Sequence, residues 1–282
     1  MLKADGLAAG KGVLIINDLK EAKNELYKML CEEKFGEASN QVVIEQFLKG
    51  IELSCFVITD GDSYKILPTA KDYKRIGEGD KGLNTGGMGA ISPPPFVNKI
   101  FMEKVETKII KPTIKGLNEL GTKFKGFLYA GLMIVENEPY LIEYNVRMGD
   151  PECQAILPKL KTDLVDIFTA CVEEKLSPIN IEWHEEKSLC IVVCSKGYPD
   201  KYPNNIIIKN IETINLKDGE FIYHAGTKNS QNKIYSNGGR VLNFVVLSDS
   251  FKLSRIKAIQ LIKKLNWTNG FYRKDIGFKV IK

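Results

Sequence analysis

The chain has 282 residues, of which 44% are hydrophobic and 27% charged, with 24 glycines and 11 prolines. This composition is typical of a globular protein and excludes collagen-like, low-complexity and wholly disordered chains, while the length favours two packed units over one core. The formal net charge is +5, from 40 basic and 35 acidic side chains with no block of like sign. The charge pattern therefore indicates no nucleic-acid partner.

Membrane and metal signals are weak as well. No apolar run approaches the roughly 20 residues that a membrane-spanning helix needs, and the start of the chain lacks the apolar centre of a signal peptide. The six cysteines include no CxxC pair and the two histidines lie far apart, which excludes the usual spacing of a zinc site. We expect a soluble, cytoplasmic protein with reduced, buried cysteines and no membrane partner.

The first elements follow from local pattern. Residues 13–16 predict a strand, and Asp18 with Glu21 predicts the capped start of a helix that runs to Cys31. Residues 42–45 and 53–58 predict two further strands. The pair Asp60-Gly61 then predicts a hairpin into a strand at residues 64–67.

The middle of the chain starts with a break in this pattern. Between Asp72 and Pro95 the periodicity disappears, which predicts one long loop, either functional or disordered. Beyond it, a stripe of apolar residues at helical spacing predicts a helix that Pro112 kinks or breaks. The stripe consists of Ile100, Phe101, Val105 and Ile109.

Two strands and a helix are predicted next, at residues 127–135, 140–146 and 162–174. The connector around Ser177-Pro178 predicts a domain boundary. The remainder predicts a small α+β unit, with strands at 189–194, 205–208, 220–224 and 241–247, a helix at 249–265 and a short strand near Phe271.

Residues 3–13, KADGLAAGKGV, form a glycine-interrupted segment with a lysine near each end. Glycines let backbone N–H groups approach phosphate oxygens, and lysine supplies a positive charge. The segment has neither the order GxxxxGK[ST] nor GxGxxG. It indicates a phosphate-binding loop of another kind, with a flexible surface hairpin as the alternative.

Glu143 and Asn145 lie two residues apart on a predicted strand, so both side chains face the same side. A carboxylate and an amide oxygen suit a hard cation such as Mg²⁺ that also holds substrate phosphates. A solvated strand end is the alternative interpretation.

Two other segments give weaker signals. Residues 84–89, rich in glycine, could bind an anion through backbone N–H groups or could simply be flexible. His224 is interpreted as a packed residue at a strand end rather than a base. No Ser/His/Asp or Cys/His arrangement can be argued from the sequence.

Taken in order, eight segments resemble the phosphoribosylamine–glycine ligases (glycinamide ribonucleotide synthetases), a family of ATP-grasp ligases. They are KADGLAAGKGV (3–13), VIEQFLKGIELS (43–54), NTGGMGAISPPP (84–95), GFLYAGLMI (126–134), IEYNVRMGDPECQ (142–154), HAGT (224–227), NGGRVL (237–242) and RKDIG (273–277). The resemblance implies an α+β fold in three parts. These parts are a partial ATP-grasp lid (1–48), a larger antiparallel-sheet subdomain with the site (49–187) and a small α+β C-terminal domain (188–282).

The resemblance also implies a nucleotide site. In the family pattern, the first lysine contacts the phosphates, the glycine-rich segment closes over them, a hinge reads adenine, and an acidic residue holds the ribose hydroxyls. The residues that match are Lys3, Gly6, Gly10, Lys11, Gly12, Glu45, Phe47, Leu48 and Glu52.

Glu143 and Asn145 match the family's Mg²⁺ ligands, with Mn²⁺ as the alternative ion. Arg147 and Asp72 are the predicted catalytic residues. Together with residues 84–90, they match positions that gather glycine, the ribose phosphate and the transferring phosphate.

The implied reaction joins glycine to 5-phosphoribosylamine at the expense of ATP, through glycyl phosphate. It gives glycinamide ribonucleotide, ADP and phosphate in purine biosynthesis. Catalysis would rest on positioning and charge neutralisation, with no protein nucleophile. Two alternatives stay open: a ligase for another carboxylate and amine, and a fragment that binds nucleotide but is inactive or needs a further domain for turnover.

The sequence departs from the family pattern at its start, because Met1 falls just before the phosphate loop. The N-terminal α/β domain and half of the lid that the resemblance implies have no counterpart. We therefore expect a chain that is weak or inactive alone: either a fragment, or one half of a split enzyme whose missing domain a separate chain supplies. Residues 71–75 read KDYKR where the family has Gln-Asp-His-Lys-Arg, so Asp72 is retained.

Overall fold

The computed structural model describes residues 1–6, 8 and 12–281, and the chain divides into two compact units, Met1–Gly50 (unit 1) and Ile51–Lys282 (unit 2). In the part of the chain so described, no helix is long and apolar enough to cross a membrane.

Unit 1 is an antiparallel sheet with one α-helix. The order of the sheet is β2-β1-β3, so β1 pairs with both neighbours. The predicted start of the helix is confirmed, because the Asp18 carboxylate accepts a hydrogen bond from the Glu21 backbone N–H at 2.7 Å. The elements are β1 (Leu2–Ala4), β2 (Val13–Leu14), α1 (Leu19–Cys31), a 3₁₀ turn (Gly36–Ser39) and β3 (Val42–Ile44).

Unit 2 combines antiparallel sheets with helices. Its strands are β4 (Ile51–Thr59), β5 (Tyr64–Ile66), β6 (Lys71–Asp72), β7 (Arg75–Gly77), β8 (Lys81–Asn84), β9 (Gly89–Ser92), β10 (Gly126–Val135), β11 (Glu138–Asn145), β12 (Lys187–Ser195), β13 (Ile207–Ile208), β14 (Glu220–His224), β15 (Thr227–Ser230), β16 (Lys233–Ser236), β17 (Arg240–Ser248) and β18 (Gly270–Phe271). Its α-helices are α2 (Lys99–Val105), α3 (Lys111–Glu119), α4 (Glu152–Ile156), α5 (Leu164–Val172) and α6 (Phe251–Ile262).

One sheet of unit 2, in the order β11-β10-β4-β5, has two different faces. Along β4, Leu53, Cys55 and Val57 point to one side, where they are buried against Phe101 and Ile110 of the helical segment. The alternate side chains of β4 point to the other side. That side is apolar at one end, where Phe56 and Ile58 are buried, and polar at the other.

The second large sheet has the order β14-β17-β12-β9-β6, with β18 added to β12. It therefore joins two strands from the first half of the chain with strands from the C-terminal segment. Its core includes Ile91, Val192 and Phe244, together with Ala258 of α6. The Ser54 and Ala70 backbones exchange hydrogen bonds of 2.9 and 3.0 Å, which connects the two sheets beside Asp72.

The prediction of one long loop between Asp72 and Pro95 is wrong, because β6 to β9 occupy much of it. These strands are short and rich in glycine, so they lack the alternation that marks a strand in sequence. Glycine is needed at one of them for close packing: a Cβ added at Gly89 would lie 2.5 Å from the Cys190 carbonyl oxygen.

Pro112 does not break the predicted helix. The chain continues from α2 through a π-helical turn (Glu106–Ile110) into α3, where Pro112 lies in the first turn. The π-helical turn directly before Pro112 is a local irregularity of the kind that accommodates a proline, which lacks the N–H of a regular helix. The predicted stripe is only partly correct, since Ile100 is 66% exposed whereas Phe101 is buried.

Most other predicted elements are confirmed, including the pair β10 and β11, α5 and the C-terminal strands β12, β14 and β17. The short helix α4 and the hairpin of β15 and β16 escaped prediction. Every strand pairing in the described part of the chain is antiparallel, which together with the helices confirms the α+β class.

Candidate active site

A small cleft opens at the polar end of the sheet formed by β4, β10 and β11. Three residues predicted separately, Glu52, Asp72 and Glu143, line this one cleft. The other lining residues are Leu53, Ser54, Lys74, Tyr129, Gly131, Leu132 and Ile142.

The register of the sheet builds the floor of the cleft. Ser54, Gly131 and Glu143 are aligned across β4, β10 and β11. A Cβ at Gly131 would lie 3.3 Å from Cγ of Glu143, so glycine leaves room for the glutamate side chain. Asn145 lies opposite Tyr129, two residues beyond Glu143 on the same strand, and so shares its face.

A buried carboxylate lies behind this floor. Glu152, at the start of α4, is 2% exposed, and its Oε1 accepts a hydrogen bond of 2.9 Å from the Ser54 hydroxyl. The Ser54 Oγ also lies 3.0 Å from the Tyr129 hydroxyl oxygen. Burial is the main cause that raises the pKa of Tyr129, and the nearby Glu152 charge adds to it.

Lys74 supplies positive charge, and its Nζ lies 2.8 Å from Oε2 of Glu52. Burial opposes the charged form of both groups, but the ion pair outweighs it. The pKa of Lys74 is therefore raised and the pKa of Glu52 lowered, the latter with help from Lys71. Both side chains are charged at neutral pH.

Asp72 is a carboxyl group of the cleft that lacks a full set of hydrogen-bond partners in the described part of the chain. Its Oδ1 is buried and has no hydrogen-bond partner among the described residues. Burial is the first cause that holds the Asp72 pKa well above the usual range, followed by the charge of Glu152, while Lys74 and Arg240 oppose the shift and Glu52 adds to it. A ligand with a positive charge and an N–H donor would correct this imbalance.

The donor set for a metal ion is limited. In the described parts of the chain, no group of three His, Cys, Asp or Glu side chains is arranged to hold an ion. Glu143 and Asn145 offer one carboxylate and one amide oxygen on the same strand face. This set fits Mg²⁺, which commonly takes one or two protein carboxylates and completes its shell with substrate phosphates and water.

Arg147 lies on the loop that follows β11 and is not one of the residues that line the cleft. Its side chain is exposed, and Nη1 donates a hydrogen bond of 2.9 Å to the Met148 carbonyl. The guanidinium is therefore available on the surface next to the strand that carries Glu143 and Asn145.

Anion binding through backbone N–H groups, one of the two interpretations of residues 84–89, has no free donor at residues 85–88 in this structure. Each of those four amides already donates to an acceptor within unit 2. The acceptors are the Lys74 carbonyl for Thr85, the Tyr198 hydroxyl for Gly86, the Thr85 hydroxyl for Gly87 and the Tyr73 carbonyl for Met88.

His224 ends β14, as predicted for a strand-end residue, but its side chain is exposed rather than packed. Its Nδ1 lies 3.0 Å from the Thr227 hydroxyl. The ring lines a separate apolar groove together with Ile214 and Ile234 and lies outside the candidate site.

Six of the predicted nucleotide-binding residues belong to the described part of unit 1. Lys3 forms an ion pair of 2.6 Å with Glu45, and the Gly12 carbonyl accepts a hydrogen bond of 2.8 Å from the Ala4 N–H. The Gly6 N–H donates to the Ala38 carbonyl at 3.2 Å. Phe47 is 52% exposed and Leu48 is half-buried. Gly10 and Lys11 lie outside the described residues.

The predicted site residues did not include Ser54 and Tyr129, which line the cleft, or Glu152, which lies behind its floor. Ser54 could have been found from the alternation of β4, because it lies two residues after Glu52. The contact between Ser54 and Glu152 spans 98 residues, and no local pattern indicates it.

Comparison with known proteins identifies the family. Residues 1–153 match the family model described as phosphoribosylglycinamide synthetase, ATP-grasp (A) domain, and residues 188–279 match the C domain of the same family. Phosphoribosylamine–glycine ligase of Caldanaerobacter subterraneus is 44% identical over 98% of this chain. The chain spans 66% of the length of that relative.

Solved structures agree. The crystal structure of phosphoribosylamine–glycine ligase from Thermotoga maritima has a TM-score of 0.84 and 34% identity, and the match covers 98% of this chain and 68% of that one. The biotin carboxylase domain of the Hydrogenobacter thermophilus 2-oxoglutarate carboxylase, in complex with MgADP and bicarbonate, has a TM-score of 0.68 at 15% identity, over 96% of this chain and 57% of that one. The second match concerns the fold alone. The α+β fold is thus an ATP-grasp fold, and the chain belongs to the phosphoribosylglycinamide synthetase family.

Proposed function

We propose that the chain carries out the ATP-dependent ligation of glycine to 5-phosphoribosylamine, giving glycinamide ribonucleotide, ADP and phosphate. The observation that carries this proposal is the meeting of Glu52, Asp72 and Glu143 in one cleft. The resemblance assigned these residues separately to the ribose of the nucleotide, to the glycine and phosphate side, and to the metal. An ATP-grasp ligase must bring those three functions together.

Glu143 and Asn145 would hold Mg²⁺, or Mn²⁺ in its place, and Glu52 would accept hydrogen bonds from the ribose hydroxyls. When bound, the metal ion neutralises phosphate charge and orients the transferring phosphoryl group. Glu52 is prepared for its role because the ion pair with Lys74 keeps it ionised.

Unit 1 would supply the remaining nucleotide contacts. Lys3 pairs with Glu45 in this structure, and an ATP phosphate would compete with that carboxylate for the lysine. The segment that contains Gly6, Gly10, Lys11 and Gly12 would close over the phosphates, while Glu45, Phe47 and Leu48 would read adenine. The division into a partial lid, a main subdomain and a C-terminal domain remains part of this proposal.

Asp72 and Glu152 would bind the ammonium group of glycine. The Ser54 hydroxyl already satisfies one oxygen of Glu152, whereas Oδ1 of Asp72 is buried without a partner among the described residues. An ammonium group would donate to Asp72 and offset the repulsion between the two carboxylates. The cleft that Asp72 lines is small, which favours a small amino acid over a large one.

The chemistry then proceeds in two steps. A carboxylate oxygen of glycine attacks the γ-phosphorus of ATP, an O–P bond forms, and ADP leaves as the bond to the β–γ bridging oxygen breaks. The amine of phosphoribosylamine next attacks the carbonyl carbon, a C–N bond forms, and inorganic phosphate leaves while the nitrogen loses a proton. Lys74 and Arg147 would stabilise the negative charge that develops.

The proposal is tested by ADP and phosphate release with ATP, Mg²⁺, glycine and phosphoribosylamine, leaving out each substrate in turn. One reaction contains the chain alone. A parallel reaction adds, as a second polypeptide, the part of the Thermotoga maritima protein that the match does not cover, because the chain covers 68% of that structure. We expect ADP release that depends on both glycine and phosphoribosylamine.

Two variants and a control connect this activity to the cleft. Glu143→Gln should reduce turnover about 100-fold or more, and Asp72→Asn should raise the KM for glycine about tenfold. Asp166→Asn, which changes an exposed carboxylate on α5, should leave both unchanged. The proposal is wrong if neither reaction shows glycine-dependent ADP release.

A further inference from the structure

Arg240, the first residue of β17, connects two chain segments that border Asp72. Its Nη1 donates hydrogen bonds to the Gly86 carbonyl at 2.7 Å and to the Asp150 carbonyl at 2.8 Å. Its Nη2 donates to Oδ2 of Asp150, also at 2.8 Å. One guanidinium therefore joins the glycine-rich loop to the turn that leads into Glu152.

The backbone is shaped to bring Arg240 to this point. The pairing of β17 with β12 shifts register between Val193 and Cys194, and Cys194 is then aligned with Arg240. Such irregularities redirect side chains and often occur beside active sites. On the facing loop, a Cβ at Gly86 would lie 2.9 Å from Cζ of Arg240, so any side chain there would displace the guanidinium from this position.

The segments that Arg240 joins enclose the unpaired oxygen of Asp72. A Cβ at Gly87 would lie 2.8 Å from Oδ1 of Asp72 and 2.5 Å from Cδ of Pro151. Glu152 follows Pro151 directly. The loop at Gly86 and the turn at Asp150 therefore set the separation between the Asp72 and Glu152 carboxylates. The Arg240 side chain holds both segments.

We infer that Arg240 is a positioning residue for the amino-acid substrate: it holds the loop at Gly86 and the turn at Asp150 so that Asp72 and Glu152 keep the spacing that binds an ammonium group. The inference rests on the proposed function and deepens it, because it assigns control of the amino-acid site to the segment that matches the family's C domain. Tyr198, from the same segment, supports the loop by accepting a hydrogen bond of 2.9 Å from the Gly86 N–H.

Arg240 differs in this respect from the other arginine that ties the C-terminal segment to the first half of unit 2. Arg273 is 1% exposed and pairs with Asp80 and Asp275, while its Nη1 donates to the Arg75 carbonyl. These contacts hold the hairpin of β7 and β8. Arg240 instead is 21% exposed and contacts the two segments that enclose the Asp72 carboxylate.

The test is the separate measurement of KM for glycine and KM for ATP in Arg240→Ala, Arg240→Lys and Tyr198→Phe, using the ADP-release assay described above. We expect Arg240→Ala to raise the KM for glycine about tenfold or more, with the KM for ATP changed less than about twofold. Arg240→Lys keeps the positive charge but lacks the forked guanidinium, so its KM for glycine should rise less than that of Arg240→Ala. Arg255→Ala, on α6, is the matched control and should change neither constant.

The outcomes separate this inference from the function on which it rests. An unchanged KM for glycine in all three variants overturns it, as does an equal rise of both KM values, which would indicate general loosening. If Arg240→Ala does not fold, Arg240→Lys and Tyr198→Phe decide by the same criterion. Absence of glycine-dependent release by the wild-type chain, both alone and with the added second polypeptide, would instead reject the proposed function, and the inference with it.

Discussion

The two units of the chain bury apolar surface very differently. Unit 2 contains three clusters of buried side chains, one on each face of the sheet formed by β4, β10 and β11 and one around β12 and β17. In the described part of unit 1, the buried side chains are those of Leu2, Met29, Ala38 and Ser39.

The same contrast holds for exposed apolar groups. Unit 1 exposes Ile15, Leu19, Ile44 and Phe47, each by more than half. A segment of 50 residues buries a smaller share of its surface than a larger domain does, even when it is well packed, so its stability is marginal. Local unfolding of unit 1 should therefore cost less free energy than unfolding of unit 2, whose elements share large cores.

The largest expected difference between the units is the change in the free energy of unfolding when one phenylalanine in each unit is replaced by alanine. Phe56 in unit 2 is fully buried, with its ring centroid 4.7 Å from that of Tyr129, whereas Phe47 in unit 1 is 52% exposed. Phe56→Ala should lower the free energy of unfolding of unit 2 by about 3–5 kcal/mol because it leaves a cavity. Phe47→Ala should change it by less than about 0.5 kcal/mol.

Guanidinium denaturation followed by tryptophan fluorescence measures this difference. The two tryptophans, Trp183 and Trp267, both belong to unit 2 and so report its unfolding. Equal losses in the two variants would show that burial does not distinguish the units.

A second effect concerns Asp72, one of the residues of unit 2 with a buried polar atom that lacks a hydrogen-bond partner among the described residues. The folded state holds the proton of Asp72 more tightly than the unfolded state does, because burial and then Glu152 raise its pKa. The stability that this group contributes is therefore complete at acid pH and is lost as pH rises through the raised pKa. Asparagine does not ionise, so Asp72→Asn avoids this loss of stability at high pH. The variant should raise the free energy of unfolding at neutral pH by about 0.5–2 kcal/mol and should not raise it below about pH 3.9.

Asp60 provides a control of opposite sign. Burial opposes its ionisation, but its carboxylate accepts backbone hydrogen bonds from Ser63 at 2.6 Å, Leu176 at 3.0 Å and Asp62 at 3.1 Å, so the pKa is lowered. Its contribution is present at neutral pH and is lost as pH falls through the lowered pKa. Asp60→Asn should therefore destabilise the protein at pH 7. Thermal midpoints between pH 3 and pH 8 compare the two variants, and a destabilised Asp72→Asn at pH 7 would contradict the argument.

Local signals explain which parts of the fold could be predicted. The capped helix α1 and the hairpin of β10 and β11 were predictable because each is specified by a few neighbouring residues, such as Asp18 and Glu21. The strands between Asp72 and Pro95 were not, since they are short, contain glycine and depend on partners such as β12, about 100 residues away in sequence.

The candidate site divides in the same way. The shared face of Glu143 and Asn145 follows from strand alternation, and Glu52 and Asp72 came from the family resemblance. The contacts of Ser54 with Glu152 and of Arg240 with Asp150 join residues 98 and 90 positions apart. They depend on sheet register and on a local register shift, which the sequence pattern does not indicate.

The smallest effect compares two helix caps of the same chemistry, one in each unit. The Asp18 carboxylate accepts the Glu21 N–H at 2.7 Å at the start of α1, and the Asp163 carboxylate accepts the Val165 N–H at 2.8 Å at the start of α5. Replacement of either by alanine should cost about 1 kcal/mol.

In Asp163→Ala the cost should lower the unfolding midpoint reported by the tryptophans, because α5 contributes Ile167 to a core of unit 2. In Asp18→Ala the cost should instead appear as hydrogen exchange about fivefold faster in α1, with the tryptophan midpoint unchanged. A midpoint lowered equally by both variants would show that unit 1 unfolds together with unit 2, despite its small share of buried side chains.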